Sequence, residues 1–155
     1  MIFRQPERFE MLQNYFGIGT AIETRLREQF GDEVELICSP FTVNNPNDLK
    51  KYTVSLHLSP LPSVFGNYSG NGAKQAETQR WQVSLCYKSP STVEEEQVMR
   101  DTVGDLLLRV RRCLQGFALF DVGGKSLRVV ANQFYMTDDC RFRIFSFTVE
   151  TECVI

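Results

Sequence analysis

The sequence predicts an α+β fold in which a mixed, mainly antiparallel sheet is packed by two main helices. Three observations predict it. Trp81-Gln82-Val83-Ser84-Leu85-Cys86-Tyr87 alternates apolar and polar residues at the period of a half-buried strand. The stretch from Thr92 to Leu114 carries its apolar residues at helical spacing. Two aromatic-rich segments come after it, Leu127 to Tyr135 and Arg141 to Thr151, joined by a turn at Thr137-Asp138-Asp139. The 155 residues read as one domain, 1–155, and 43% hydrophobic with 23% charged residues is enough for a core.

Phe9, Leu12, Tyr15 and Phe16 have helical spacing, but Pro6 and Gly17-Ile18-Gly19 isolate them from the residues beyond Gly19. Residues 1–17 therefore read as a short docking helix or as an arm that packs on a neighbouring subunit. Thr20-Ala21-Ile22-Glu23 matches a capping box. Ile22, Leu26 and Phe30 line one face behind it, which predicts a helix at 20–30 stopped by Gly31. Val34, Leu36 and Cys38 alternate with Glu33 and Glu35 in a short strand closed by Pro40. Tyr52, Val54, Leu56 and Leu58 alternate with Thr53, Ser55 and His57 in a second strand. Residues 59–79 hold two prolines, three glycines and several Ser and Asn without periodicity. They read as a long mobile loop that projects from the sheet.

The strand at 80–88 is expected to bury Trp81, Val83, Leu85 and Tyr87 against the long helix. Ser84 then faces away, where alanine changes stability by no more than about 0.5 kcal/mol. The helix starts near Thr92 with Glu94, Glu95 and Glu96, and ends with Arg109, Arg111, Arg112 and Gly116. Acid first and base last suits the helix dipole. Val98 or Met99, Val103, Leu106, Leu107, Val110, Cys113 and Leu114 form its apolar stripe. Gly104 costs about 1 kcal/mol against alanine there, which points to close packing on a strand. In the last strand Phe142 and Ile144 occupy one phase, and Phe145, Phe147 and Val149 the other. That predicts a bulge near Ile144 or cover on both faces.

A net charge of −2 provides no global basic field for nucleic acid or an anionic membrane. The five cysteines are scattered, with no CxxC and no cysteine–histidine spacing of a zinc site. Four of them sit among apolar residues as small hydrophobes, and a reduced, cytosolic setting is expected. The N-terminus lacks the apolar stretch of a signal peptide, and the apolar runs are too short to span a membrane.

Gly123-Gly124-Lys125-Ser126 invites a phosphate-loop reading. That motif needs a glycine where Leu119 stands and a helix where Leu127-Arg128-Val129-Val130 reads as strand. A glycine-bearing hairpin turn is the better reading. His57, the single histidine, has no recognisable second ligand and reads as a solvated residue on the polar face of its strand. Asp138-Asp139 reads as a turn, and Glu94 to Glu96 as helix capping. Arg109, Arg111 and Arg112 need no ligand, although Arg128, Arg141 and Arg143 could join them in a basic patch.

Taken together, these residues resemble the minor tail protein family of Mu-like phages and prophages, the tail terminator or tail completion group. The likeness covers roughly Thr20 to Glu150. It lies in the Trp-x-Val-x-Leu-x-Tyr strand at Trp81 to Tyr87 and in Leu106, Arg109, Val110, Arg111, Leu114, Gly116 and Phe117 at the helix end. Phe134-Tyr135 and the Phe-rich last strand complete it.

The resemblance implies a tail-terminator-like fold and a hexameric ring at the head-proximal end of the tail tube. Such a ring stops tube polymerisation and joins tail to head. Its partners would be further copies of itself, the tail tube protein and the head–tail connector. The chain would work in the bacterial host cytoplasm during assembly and then in the virion tail. No membrane or direct nucleic-acid contact is expected, and neither enzymatic activity nor catalytic, cofactor or metal residues are implied. Phe65, Asn67, Tyr68, Asn71, Lys74, Arg109 and Arg112 are the expected interface residues. The competing reading is a small cytosolic ligand-binding or enzymatic α+β domain of bacterial origin.

Overall fold

The alternating strand lies at the centre of the sheet. In the structure, a computed structural model describing residues 11–42 and 51–155, it is the strand with a long partner on each side. The described elements are α1 (Gly17–Phe30), β1 (Leu36–Cys38), β2 (Val54–Ser69), β3 (Lys74–Lys88), α2 (Val93–Leu114), β4 (Arg128–Met136) and β5 (Phe142–Val154). The sheet order is β1-β2-β3-β5-β4, with β1 parallel to β2 and every other pair antiparallel. The predicted α+β class and mixed sheet are what the chain adopts.

Register explains the core. Val83 lies between Leu58 and Phe147, and Leu85 between Leu56 and Phe145, so apolar rows cross three strands on one face. Trp81, Val83 and Leu85 are buried there as predicted, and Tyr87 packs on their margin. Ile18, Ile22, Leu26 and Phe30 of α1 join Val103, Leu106, Val110 and Leu114 of α2 over those rows in a single cluster.

The helix α1 begins three residues earlier than the sequence suggests. Phe16 precedes it without a side-chain cap, so Thr20 and Glu23 lie inside the helix and form no capping box. Gly17-Ile18-Gly19 is its first turn rather than a break. Gly19 is there for space: a Cβ would stand 2.4 Å from the Trp81 ring. Gly31 comes next after the helix in right-handed geometry. The phase of β1 also differs from the alternation of Val34, Leu36 and Cys38. Its parallel register sets Ile37 beside Leu56, so Ile37 enters the core cluster while Leu36 and Cys38 turn to the other face.

Residues 59–79, read as a loop, are mostly strand. β2 and β3 continue as a paired hairpin to Ser69 and Lys74. Two register shifts, Leu61/Val64 and Phe65/Tyr68, break the period-two pattern that would have revealed it. Its turn uses left-handed backbone at Gly70, Asn71 and Gly72, where φ is 59°, 58° and 85°.

α2 is capped as its sequence suggests. Thr92 Oγ1 accepts the Glu95 amide at 3.1 Å, and the Glu95 carboxylate accepts the Ser91 amide at 2.7 Å. Gly116, with φ 75°, turns the chain out and donates its amide to the Leu127 carbonyl at 2.9 Å. Met99, not the 59% exposed Val98, starts the inward stripe. Gly104 does not pack on a strand; nothing comes within 4 Å of a Cβ placed there.

Gly123 and Gly124 form no hairpin turn. Gly123, with φ 89°, ends a 3-10 turn at Phe120–Val122, and a Cβ on it would meet the Leu12 backbone at 2.8 Å. Lys125 is ion-paired with Glu152 at 2.8 Å, and strand begins at Arg128. The bulge expected near Ile144 lies instead across the ladder, between Val129 and Ala131 of β4.

In the N-terminal segment, residues 1–10, with Phe9 among them, lie outside the described residues. Leu12 donates its amide to the Val154 carbonyl at 3.0 Å, and the Tyr15 hydroxyl reaches both Glu77 carboxylate oxygens at 2.9 Å. The described part of the stretch before α1 is therefore not a helix: from Leu12 it docks on its own sheet.

Candidate assembly surfaces

The outer part of the β2–β3 hairpin leaves its large side chains exposed. Phe65 and Tyr68 are 65% and 68% exposed, and Val64 beside them is 57% exposed. Asn67, Asn71 and Lys74 are exposed around the same turn. Five of the seven expected interface residues are thus gathered at one tip. The other two are elsewhere, on α2. Arg109 is ion-paired with Asp105 at 2.9 Å and with Glu33, and its guanidinium lies 5.7 Å from the Phe30 ring centre. These carboxylates hold the Arg109 charge beyond its already high pKa, and Arg109 in turn holds Glu33 below its ordinary value. Arg112 is exposed on the last turn.

The arginines do not gather into a basic patch. Arg128 binds Glu150 at 2.9 Å and Arg141 lies 3.8 Å from Asp139, so their charges are met locally. Arg143 instead lies on the helix-covered face, beside Met136 of β4. The Asp138-Asp139 turn is as read: Asp139 accepts from the Thr137 hydroxyl at 2.7 Å and the Arg141 amide at 3.0 Å, which holds its carboxyl below the ordinary range.

A second surface was missed in the sequence. Where α2 begins, it stands off from the end of β4 and leaves a groove of about 490 Å³. Met99, Gly104 and Leu107 form one wall, with Phe134, Met136 and Phe145 opposite. The Phe134 and Phe145 rings meet edge-on, 5.3 Å between centres. Phe134, Tyr135 and Met136 remain 56%, 46% and 42% exposed. Gly104 stood out in the sequence, but as a close-packing position rather than as the bare wall of a groove.

The third surface is the sheet face turned away from both helices. Its rows are Ser55, Cys86 and Ile144, then His57, Ser84 and Ser146. Ser55 Oγ and His57 Nε2 are 2.8 Å apart, and the Ser84 and Ser146 hydroxyls 2.7 Å apart. His57 is not the solvated residue expected: burial holds its imidazole below the ordinary value of 6.5. Burial likewise raises the Cys86 thiol. A hollow of about 340 Å³ lies here, lined by His57, Ser84, Cys86 and Ile144 with Tyr135, Thr137 and Phe142. Cys86, Cys113, Cys140 and Cys153 are free thiols, and burial pushes Cys153 up to about 11.

Among the described residues no group of three or more His, Cys, Asp or Glu is placed to hold a metal ion, and no helix is long and apolar enough to cross a membrane. No family model and no curated protein matches the chain. Among solved structures, a chain of the "Virion of native gene transfer agent (GTA) particle" is similar to it. The match has 10% identity and a TM-score of 0.49, covering 92% of this chain and 100% of that one.

Proposed function

We propose that this chain is a structural subunit of a phage or prophage tail, a terminator whose copies close into a hexameric ring. The ring caps the head-proximal end of the tail tube, stops its growth and presents a surface to the head connector. The observation that carries this reading is the pair of exposed apolar surfaces at the hairpin tip and the α2–β4 groove. Contiguous exposed apolar residues on an otherwise well-buried domain mark contact sites, and two different patches on one chain suit a head-to-tail ring. The sequence pattern at Trp81 to Tyr87 and at the end of α2 supports the same assignment. On this reading the chain performs no chemistry, and its partners are itself, the tube protein and the connector.

Negative-stain microscopy of the concentrated protein tests it, together with tube growth in the protein's presence. Closed rings and tubes arrested at one length are expected. Monodisperse monomers and tubes that grow on unchanged would sink the proposal.

The hollow around His57 favours a second reading, a small-ligand site in which His57, held by Ser55, meets a polar group. A ligand library screened by imidazole chemical shift separates the two: specific shifts at His57 would support the ligand reading.

A further inference from the structure

We infer that the hairpin tip of one copy seats in the α2–β4 groove of the next. The inference rests on the ring reading above and supplies its contact. The two surfaces sit at opposite ends of the same strand. The hairpin turn lies just beyond the Ser69–Lys74 pair, whereas the groove floor, Phe134 on Phe145, lies in register with Leu85. Roughly eleven residues of β3 separate them, ~35 Å at ~3.3 Å per residue. A tip therefore cannot fold back into its own groove and is free for another chain's. Joining two unlike patches in this way is a heterologous contact, which closes into a ring when the rotation between copies divides a full turn.

The groove has room for the tip, and the flank of α2 beside it is acidic. About 490 Å³ beside the bare Gly104 admits an aromatic ring, and the tip presents Phe65 and Tyr68. From Leu61 to Ala76 the tip carries Lys74 and no acid. The next acid, Glu77, is 2% exposed and hydrogen-bonded to Tyr15. The charged residues that line the groove are Glu96, its ion-pair partner Arg100, and Arg143 of β5. The acids lie beside the groove, where the same half of α2 adds Glu94, Glu95, Asp101 and Asp105, and a basic tip is steered along that flank.

The sheet edges favour the same site. Beyond β1, the outer edge of β2 carries Pro60, Pro62 and two register shifts, devices that discourage strand pairing. The outer edge of β4 from Val130 to Met136 has neither proline nor charge, and among the described residues nothing pairs with it. A visiting hairpin can extend the sheet there while its rings fill the groove.

Two blocked chains test the contact. Gly104→Leu puts bulk into the groove from a position whose Cβ meets nothing within 4 Å; Phe65→Asp with Tyr68→Asp charges the tip. Phe134→Lys serves as the groove block should Gly104→Leu melt early. Sedimentation should find wild type in rings and each blocked chain monomeric. Mixed one to one, they should give a dimer and nothing larger, because one live tip meets one live groove. Wild-type rings that survive both blocks, or a mixture that stays monomeric or grows past the dimer, would overturn this contact and leave the ring reading standing. Wild type that stays monomeric at every concentration overturns both.

Discussion

The two faces of the sheet differ in what covers them. One face lies under α1 and α2, and its cross-strand rows are apolar from β2 to β5. On the opposite face no described helix packs, and the rows there are built from Ser, His, Cys and Gln with Ile144 and Phe142 at one end. Both faces nevertheless hold buried groups: Leu85 and Ser146 are each 1% exposed. The covered face is held by apolar area and close packing, the open face by paired hydroxyls. A substitution should therefore cost most where volume is lost under the helices, and less where only a hydrogen bond is lost.

Leu85→Ala is the largest break. It removes a side chain enclosed by Leu56, Phe145 and the helices, and should cost about 2–5 kcal/mol in urea melts. Gly19→Ala attacks the same face by addition. Its new methyl would meet the Trp81 ring, itself 3% exposed and unable to swing into solvent, so a cost of about 1–3 kcal/mol is expected. A neutral result would mean that α1 can lift from β3. On the open face Ser84→Ala should cost about 1 kcal/mol, because the buried Ser146 hydroxyl loses its partner. That exceeds the near-neutral value read from the sequence, where the cross-strand hydroxyl could not be seen. Adding Ser146→Ala should recover part of the loss; if the double variant is instead worse by a full increment, the hydroxyl pair is not what binds the two strands there.

The covered face was legible because burial on one side writes a period of two into β3 and a period of 3.6 into α2. The α2 boundaries were legible too, since the Thr92 hydroxyl and the Glu95 carboxylate cap neighbouring amides and Gly116 turns the chain at its own position. Other features depended on partners far along the chain. Gly17 and Gly19 look like a helix breaker until Trp81 supplies the reason for a bare Cα. The phase of β1 is set by Leu56 rather than by β1's own alternation. The outer part of the hairpin at 59–79 leaves Val64, Phe65 and Tyr68 exposed and carries two register shifts, so no apolar period survives there. Its exposed Phe65 and Tyr68 could still be nominated as contact residues, whereas the groove needed Gly104 and Phe134, thirty positions apart, to be placed face to face.

The smallest expected effect concerns His57 and divides the faces by pH. Its imidazole titrates below 6.5 in the folded chain because it is buried, with Ser55 Oγ 2.8 Å from Nε2. In the unfolded chain it returns to the ordinary value, about 6.5. As pH falls below that value, the unfolded state takes up the proton first, so stability drops until the folded pKa is reached and then levels off for this group. Glu33, Asp139 and Glu152, all held below their ordinary carboxylate values, lose their contributions at lower pH still. His57→Gln keeps a polar side chain on the open face but cannot charge. Its melting temperature should therefore fall less than that of wild type between pH 7.5 and 5.5, while Leu85→Ala shifts the whole curve without changing its slope. Parallel pH curves for wild type and His57→Gln, or an imidazole resonance that titrates at or above 6.5, would place His57 in solvent and remove the buried polar row from the open face.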